Sequence, residues 1–309
     1  MTVEPGDEQP NMMAARASLF IPDGVEKVRA VLVFSNCGTG ENEYENQKWR
    51  DSAAKNDYAL LKTKLVADDG GAASYDYPEQ SAEMLLRILA QAASESGHPE
   101  IKNSPFIHWG HSAGGFLGTV MSAFVADRAV AFVAFHGAIR QNVIFKDCEV
   151  RDKVLSEEFL AVPGLVLLGE YDPDNIRDSS VALTQDGREL DARWALAIER
   201  DAAHWDVESS RQIAIPFVEE VLDLRLEENS DTSDGPVELT HLKKEEGWMG
   251  TLRHHRELQD DDDDKSGHEI IDSVEIQPFT EYEGDGEDAQ WLMSESFARL
   301  WLAYELGEE

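Results

Sequence analysis

Four runs of strand length, Pro105 to Trp109, Val130 to Phe135, Gly164 to Gly169 and Trp194 to Glu199, are apolar at almost every position. A strand with water on one face alternates apolar and polar residues, whereas a strand covered on both faces has no need to. Helix-compatible sequence follows each run. The chain therefore reads as α/β, with a mostly parallel central sheet and helices on both faces. Three strands are read upstream, at Ala17 to Ile21, Ala30 to Phe34 and Tyr58 to Leu65, with the turn formers Pro22, Asp23 and Gly24 after the first. From Glu79 onward Ala82, Leu85, Leu86, Leu89 and Ala93 recur at helical spacing. Val207 to Leu226 reads as a closing helix interrupted by Pro216. These boundaries predict a body over residues 17–226, a polar segment over 1–16 before it and an extension over 227–309 after it.

The extension mixes two kinds of sequence. Residues 225–309 hold 25 acidic against 7 basic side chains, including the run Asp260 to Asp264. Five adjacent aspartates repel one another, which predicts a solvated, disordered loop near 259–267 and no calcium site. By contrast Trp291, Phe297, Leu300, Trp301 and Tyr304 fall on one face of a helix over Gln290 to Tyr304, predicted to dock on the body. The expected role of Trp248 and Trp291 is core packing, with a place at the mouth of a cleft as the alternative. His241, His254, His255 and His268 are read as solvent-exposed.

The 309 residues carry 62 acidic against 27 basic side chains, a formal net charge of −35. Nucleic acid as a partner is disfavoured because binding rests on neutralising phosphates, and anionic membranes and polyanions are disfavoured by the same field. A neutral small molecule fits. Self-repulsion on this scale is relieved by salt, which suits a protein from a salty environment, or an acidic protein with its surplus in tails. Cys37 and Cys148 make neither a disulfide framework nor a metal-ligand pair. Glu4, Asp7 and Glu8 stand where a secretory signal would be basic, and no apolar stretch reaches the roughly 20 residues that span a bilayer, so a soluble chain is expected. Oligomeric state and location stay open.

Between a predicted strand and a predicted helix lies Trp109-Gly110-His111-Ser112-Ala113-Gly114-Gly115. Its G-x-S-x-G core is the nucleophile-elbow pattern, in which small residues permit a tight turn that lifts the serine hydroxyl off the sheet. A serine hydroxyl is a weak nucleophile and needs a base, and the base needs an orienting group. Both are expected later in the chain, at strand ends. The run Gly164 to Gly169 ends in Glu170-Tyr171-Asp172-Pro173-Asp174, which makes Asp172 the candidate acid, Asp174 the reserve and Glu170 a weaker third. Of nine histidines, His204 alone follows the strand Trp194 to Glu199.

A tetrahedral intermediate also needs donors for its oxyanion. One candidate is the main-chain N–H of Ala113, at a helix N-terminus, and the other is the N–H of Cys37, with Gly38 next, in the loop after Phe34. His111, His136, Gly38 and Trp205 are candidates to line the pocket, although a structural role is the expected one for His108, His111 and His136. No metal site is read, because no further Cys or acidic residue completes a known ligand spacing.

These residues resemble the α/β-hydrolase superfamily over about Ala17 to Leu226. The Gly110-His111-Ser112-Ala113-Gly114-Gly115 elbow and the Asn36-Cys37-Gly38 loop look most like the esterases grouped with feruloyl esterases and polyhydroxybutyrate depolymerases. The H-G-G-G loop of hormone-sensitive-lipase-like esterases is absent. The resemblance implies the α/β-hydrolase fold, Ser112 as nucleophile, His204 as base and then acid, Asp172 holding its imidazole, no cofactor, and a small-molecule ester, short-acyl or aryl and in some relatives feruloyl, as substrate. A thioesterase or peptidase on the same triad, or a binding protein that kept the fold, are the rival readings.

Overall fold

A computed structural model describes residues 1–35, 39–67, 77–137, 148–227, 230–258, 267–284 and 289–308. The body is an eight-stranded sheet: β1 (Thr2–Val3), β2 (Ala15–Phe20), β3 (Val31–Phe34), β4 (Ala59–Lys64), β5 (Phe106–His111), β6 (Ala129–Phe135), β7 (Gly164–Gly169) and β8 (Trp194–Glu199). Their order across the sheet is β1-β2-β4-β3-β5-β6-β7-β8, antiparallel at the first two pairings and parallel from β4 to β8. Every residue of β3, β5, β6, β7 and β8 is buried, which is the physical reason for their nearly continuous apolar sequence.

The crossovers are helical: α1 (Gly40–Glu45), α2 (Gln47–Lys55), α3 (Pro78–Ser96), α4 (Ala113–Phe124), α5 (Cys148–Val154), α6 (Glu157–Leu160), α7 (Asp174–Glu189) and α8 (Arg211–Arg225). On one face α3 packs on α4, and α4 on α5 and α6; α2 meets α8 on the other. Pro216 sits inside α8 without ending it. The polar start is not separate from the sheet: β1 pairs with β2, and the Met1 amino group donates to the carbonyl of Ala17 at 2.8 Å.

The extension departs from the sequence reading. Three strands, β9 (Trp248–Leu258), β10 (Gly267–Pro278) and β11 (Ala289–Leu292), form an antiparallel sheet in the order β10-β9-β11. Trp291 therefore belongs to a strand, and the terminal helix α9 starts only at Glu295 (Glu295–Leu306), where Ser294 caps it by accepting from the Phe297 N–H. His254 is not solvent-exposed: its side chain is 14% accessible and its Nδ1 lies 2.9 Å from the buried Glu269 carboxylate. Most of the aspartate run's predicted loop lies outside the described residues.

This extension covers the open edge of β8. An edge strand exposes main-chain groups that would otherwise pair with another chain. Here the Leu196 N–H donates to Gln290 Oε1 (2.9 Å), the Leu196 carbonyl accepts from Trp301 Nε1 (2.8 Å), and the Ile198 N–H donates to Glu305 Oε1 (2.8 Å). Side chains from β11 and α9 thus stand in for a ninth strand. Trp291, Trp301 and Phe297 are buried here, so their apolar area adds to the core. No described helix is long and apolar enough to cross a membrane.

Candidate active site

The parallel strands end together. Phe34 pairs with Trp109, His111 with Phe135, Phe135 with Leu167 and Gly169 with Glu199, so the segments that follow β5, β6, β7 and β8 leave the same edge of the sheet. Ser112 stands between β5 and α4 with φ 55° and ψ −125°, a left-handed conformation that costs an L-residue about 1–3 kcal/mol. The glycines around it permit the turn. A Cβ on Gly110 would lie 2.1 Å from the Gly114 carbonyl oxygen, and one on Gly115 would lie 2.3 Å from that of Gly137. The Ser112 N–H donates to the Phe135 carbonyl at 2.8 Å, which ties the turn to β6.

His204 and Asp172 come to the same point from the loops after β8 and β7. His204 Nε2 is 3.0 Å from Ser112 Oγ, and its Nδ1 is 2.8 Å from Asp172 Oδ1. Asp172 is fully buried, and its Oδ2 accepts from the Gly169 N–H at 2.7 Å. Against an accepting carboxylate the imidazole carries hydrogen on Nδ1, which leaves Nε2 free to accept from the serine hydroxyl. The reserve acids are engaged elsewhere. Asp174 pairs with Arg256 at 3.0 Å, and Glu170 Oε2 accepts from the Asp201 N–H at 2.8 Å.

Ala113 is the first residue of α4, where main-chain N–H groups have no helical acceptor and the helix dipole favours negative charge. Cys37 and Gly38 lie outside the described residues. Trp205 is 65% exposed at the rim, its ring edge-on to His204 and to His111 with centroids 5.2 Å from each. His111 and His136, read as pocket candidates, are instead fully buried behind the loop that carries His204. The Thr39 N–H donates to His111 Nδ1 (3.0 Å) and His111 Nε2 donates to the His204 carbonyl (2.6 Å), so His111 is a neutral ring; burial pushes it down to about 3. His108 is likewise pushed down to about 3 by burial, against Ser35.

Nitrogens of His111, His136 and His204 lie within 4.8 Å of one another, a spacing that could serve a metal ion. Their hydrogen bonds give them other work: His111 Nε2 and His136 Nδ1 both point at the His204 carbonyl, and the two His204 nitrogens face Ser112 and Asp172. The His111 and His136 nitrogens that face this carbonyl present hydrogens to it and so offer no lone pair to an ion there. Sequence reading missed the second carboxylate of this cluster, Glu199, whose Oε2 is 3.4 Å from His136 Nε2. As the last residue of an otherwise apolar strand it was the available signal.

No family model matches the sequence, and no curated protein does. Among solved structures the chain is similar to a dienelactone hydrolase from Anabaena variabilis, at 18% identity over 74% of this chain and 97% of that one, with a TM-score of 0.51. It is also similar to a poly(3-hydroxybutyrate) depolymerase from Bordetella parapertussis (14% identity, 69% and 86% covered, TM-score 0.49) and to an esterase from Pyrobaculum calidifontis (16%, 72% and 83%, 0.48). At such identities the likeness is one of fold. Taken with the strand order and the elbow between β5 and α4, the first of these similarities gives this chain the fold of the α/β-hydrolases.

Proposed function

We propose that the protein is a serine hydrolase of carboxylic esters, acting on small uncharged short-acyl or aryl substrates. One observation carries the reading: the unbroken hydrogen-bond chain from Ser112 Oγ through His204 to the buried Asp172, at the edge where six parallel strands end. Ser112 Oγ attacks the ester carbonyl carbon as its proton passes to His204 Nε2. The oxyanion develops towards the Ala113 N–H. Collapse breaks the ester C–O bond, and the proton on His204 leaves with the alcohol. Water then attacks the acyl-enzyme, gives a proton to His204, and the acid departs as Ser112 recovers its hydrogen. Asp172 holds the imidazole in the tautomer this cycle needs and balances its transient charge. The net charge of −35 favours a neutral substrate over an anionic one.

The test is Ser112→Ala on p-nitrophenyl acetate and butyrate. For a residue working within a triad kcat falls by roughly four to six orders of magnitude. Activity within tenfold of the parent would place the nucleophile elsewhere. Parallel thioester and peptide substrates must turn over more slowly than the esters, and a fluorophosphonate must label Ser112; failure of either rejects the ester-hydrolase reading.

A further inference from the structure

His136 has no part in that cycle, yet it is fully buried directly behind it. Its Nδ1 is 3.1 Å from the His204 carbonyl oxygen and 3.5 Å from Asp172 Oδ2, and its Nε2 is 3.4 Å from Glu199 Oε2. Glu199 is itself buried, and its Oε1 accepts from the Ser210 N–H (3.0 Å) and from the Ser209 hydroxyl. Asp172 accepts at both oxygens, as an ionised carboxylate does, while Glu199 Oε2 has no hydrogen-bond partner among the described residues and faces the ring at ion-pair distance. The ring lies between them with an oxygen facing each nitrogen, and a hydrogen on both nitrogens turns each facing pair into an attraction between opposite charges. Two buried carboxylates without a counter-charge would be costly.

The backbone is shaped for this placement. His136 follows β6 with φ 45°, a left-handed conformation that a bulky residue adopts only when its surroundings enforce it. Gly169 makes room, since a Cβ there would lie 2.8 Å from His136 Cε1. The groups around the ring are Asp172 after β7, Glu199 at the end of β8, His204 after β8 and the neutral His111 at the end of β5, whose centroid is 5.8 Å away. Beyond Glu199 lies Tyr304 of α9, its hydroxyl pushed well above the ordinary value by burial and by the charges of Glu199 and Glu305.

We propose that His136 is a positioning residue, an imidazolium held between Asp172 and Glu199 that, with His111, clamps the main-chain carbonyl of His204 and so fixes the base beside Ser112. The inference rests on the triad reading above. It has a chemical consequence. The His136 and His204 ring centroids are 6.0 Å apart, and a positive charge at that distance opposes a second proton on His204.

Two measurements test it. In the wild-type and Ser112→Ala proteins, the nitrogen NMR spectrum of the His136 ring, assigned through its own main-chain amide, should show both nitrogens protonated at pH 7. An unprotonated ring nitrogen overturns the proposal, whether or not any variant of His136 folds. His136→Asn keeps an N–H where Nδ1 stands but carries no charge. It should move the acid limb of kcat/KM on p-nitrophenyl butyrate to higher pH while the plateau falls less than tenfold. A limb that stays in place overturns the proposal, because a merely structural role would lower the plateau and leave the limb alone. Loss of fluorophosphonate labelling strikes the triad reading instead, and the ring spectrum is independent of it.

Discussion

Glu305 gives the sharpest quantitative test of the structure. Its carboxyl is fully buried under α9, where Oε1 accepts from the Ile198 N–H on the edge of β8 and Oε2 has no hydrogen-bond partner among the described residues. Burial pushes this carboxyl up to about 8 from an ordinary 4.5, with the Ile198 N–H and Arg200 opposing the rise. Between those two values the folded chain holds a proton that the unfolded chain has released, so stability falls as pH rises through the window. It levels off once both states are ionised, above about 8. At about 1.4 kcal/mol per pH unit the total is roughly 3 to 6 kcal/mol. Glu305→Gln removes the titration and keeps an oxygen for Ile198. Its added N–H₂ in place of Oε2 imposes an offset of about 1–3 kcal/mol that does not vary with pH. The measurement is urea unfolding of both proteins at pH 5.5, 6.5, 7.5 and 8.5, followed by tryptophan fluorescence. The variant should gain on the parent at close to 1.4 kcal/mol per unit through the middle of the series and stop gaining near the end. A difference flat to within about 0.5 kcal/mol would mean that Glu305 is ionised in the folded protein and that the edge of β8 is not dry.

Two further outcomes follow from the site and the charge. Asp172→Asn should lower kcat by roughly 10⁴, because the amide favours the wrong imidazole tautomer. Asp174→Asn should stay within about threefold, since Asp174 faces Arg256 and not His204; steady-state kinetics on one ester distinguish the two, and equal losses would contradict the geometry. The surplus of 62 acidic over 27 basic side chains predicts a melting temperature that rises between low salt and about 2 M NaCl, where screening acts within about 3 Å, and a curve that is flat or falling would refute it.

The body of the fold was legible because burial on both faces of a parallel sheet leaves a local mark. Gly164–Gly169 and Trp194–Glu199 appear in the structure with the bounds their apolar runs suggest, and β2 to β6 agree to within about two residues, whereas the short β1 within the polar start was not read. The extension left no such mark. β9 reads Trp-Met-Gly-Thr-Leu-Arg-His-His-Arg-Glu-Leu, and only Leu252 of its apolar residues is fully buried among the described side chains; the strand is held by cross-strand pairing to β10, which a single sequence does not display. β10 also slips register between Ile271 and Ser273, and a slip of one residue exchanges the faces and erases any alternation. Trp291 was read into a helix because a four-residue strand and the first turn of a helix place one large apolar residue equally well. Ser294, whose hydroxyl caps α9 at Phe297, was the available correction.

At the site the same division appears between what a residue is and what it sits beside. Ser112, Asp172 and His204 could be read because each follows a buried strand and the chemistry demands their order. Glu199 ends β8 and His136 directly follows β6, but their pairing depends on the distance between the ends of β6 and β8, two strands separated in the sheet by β7. Nothing local encodes that distance. Gly169, the β7 residue between them, leaves the room for the ring: a Cβ there would lie 2.7 Å from the Ala202 carbonyl oxygen and 2.8 Å from His136 Cε1. Gly169 therefore permits the imidazole to reach across to Glu199. Gly169→Ala should displace the ring and detach the His204 carbonyl, so that kcat falls and the acid limb moves together, as in His136→Asn. A Gly169→Ala enzyme with the parent's pH profile would show that the ring is held by something other than the space this glycine leaves.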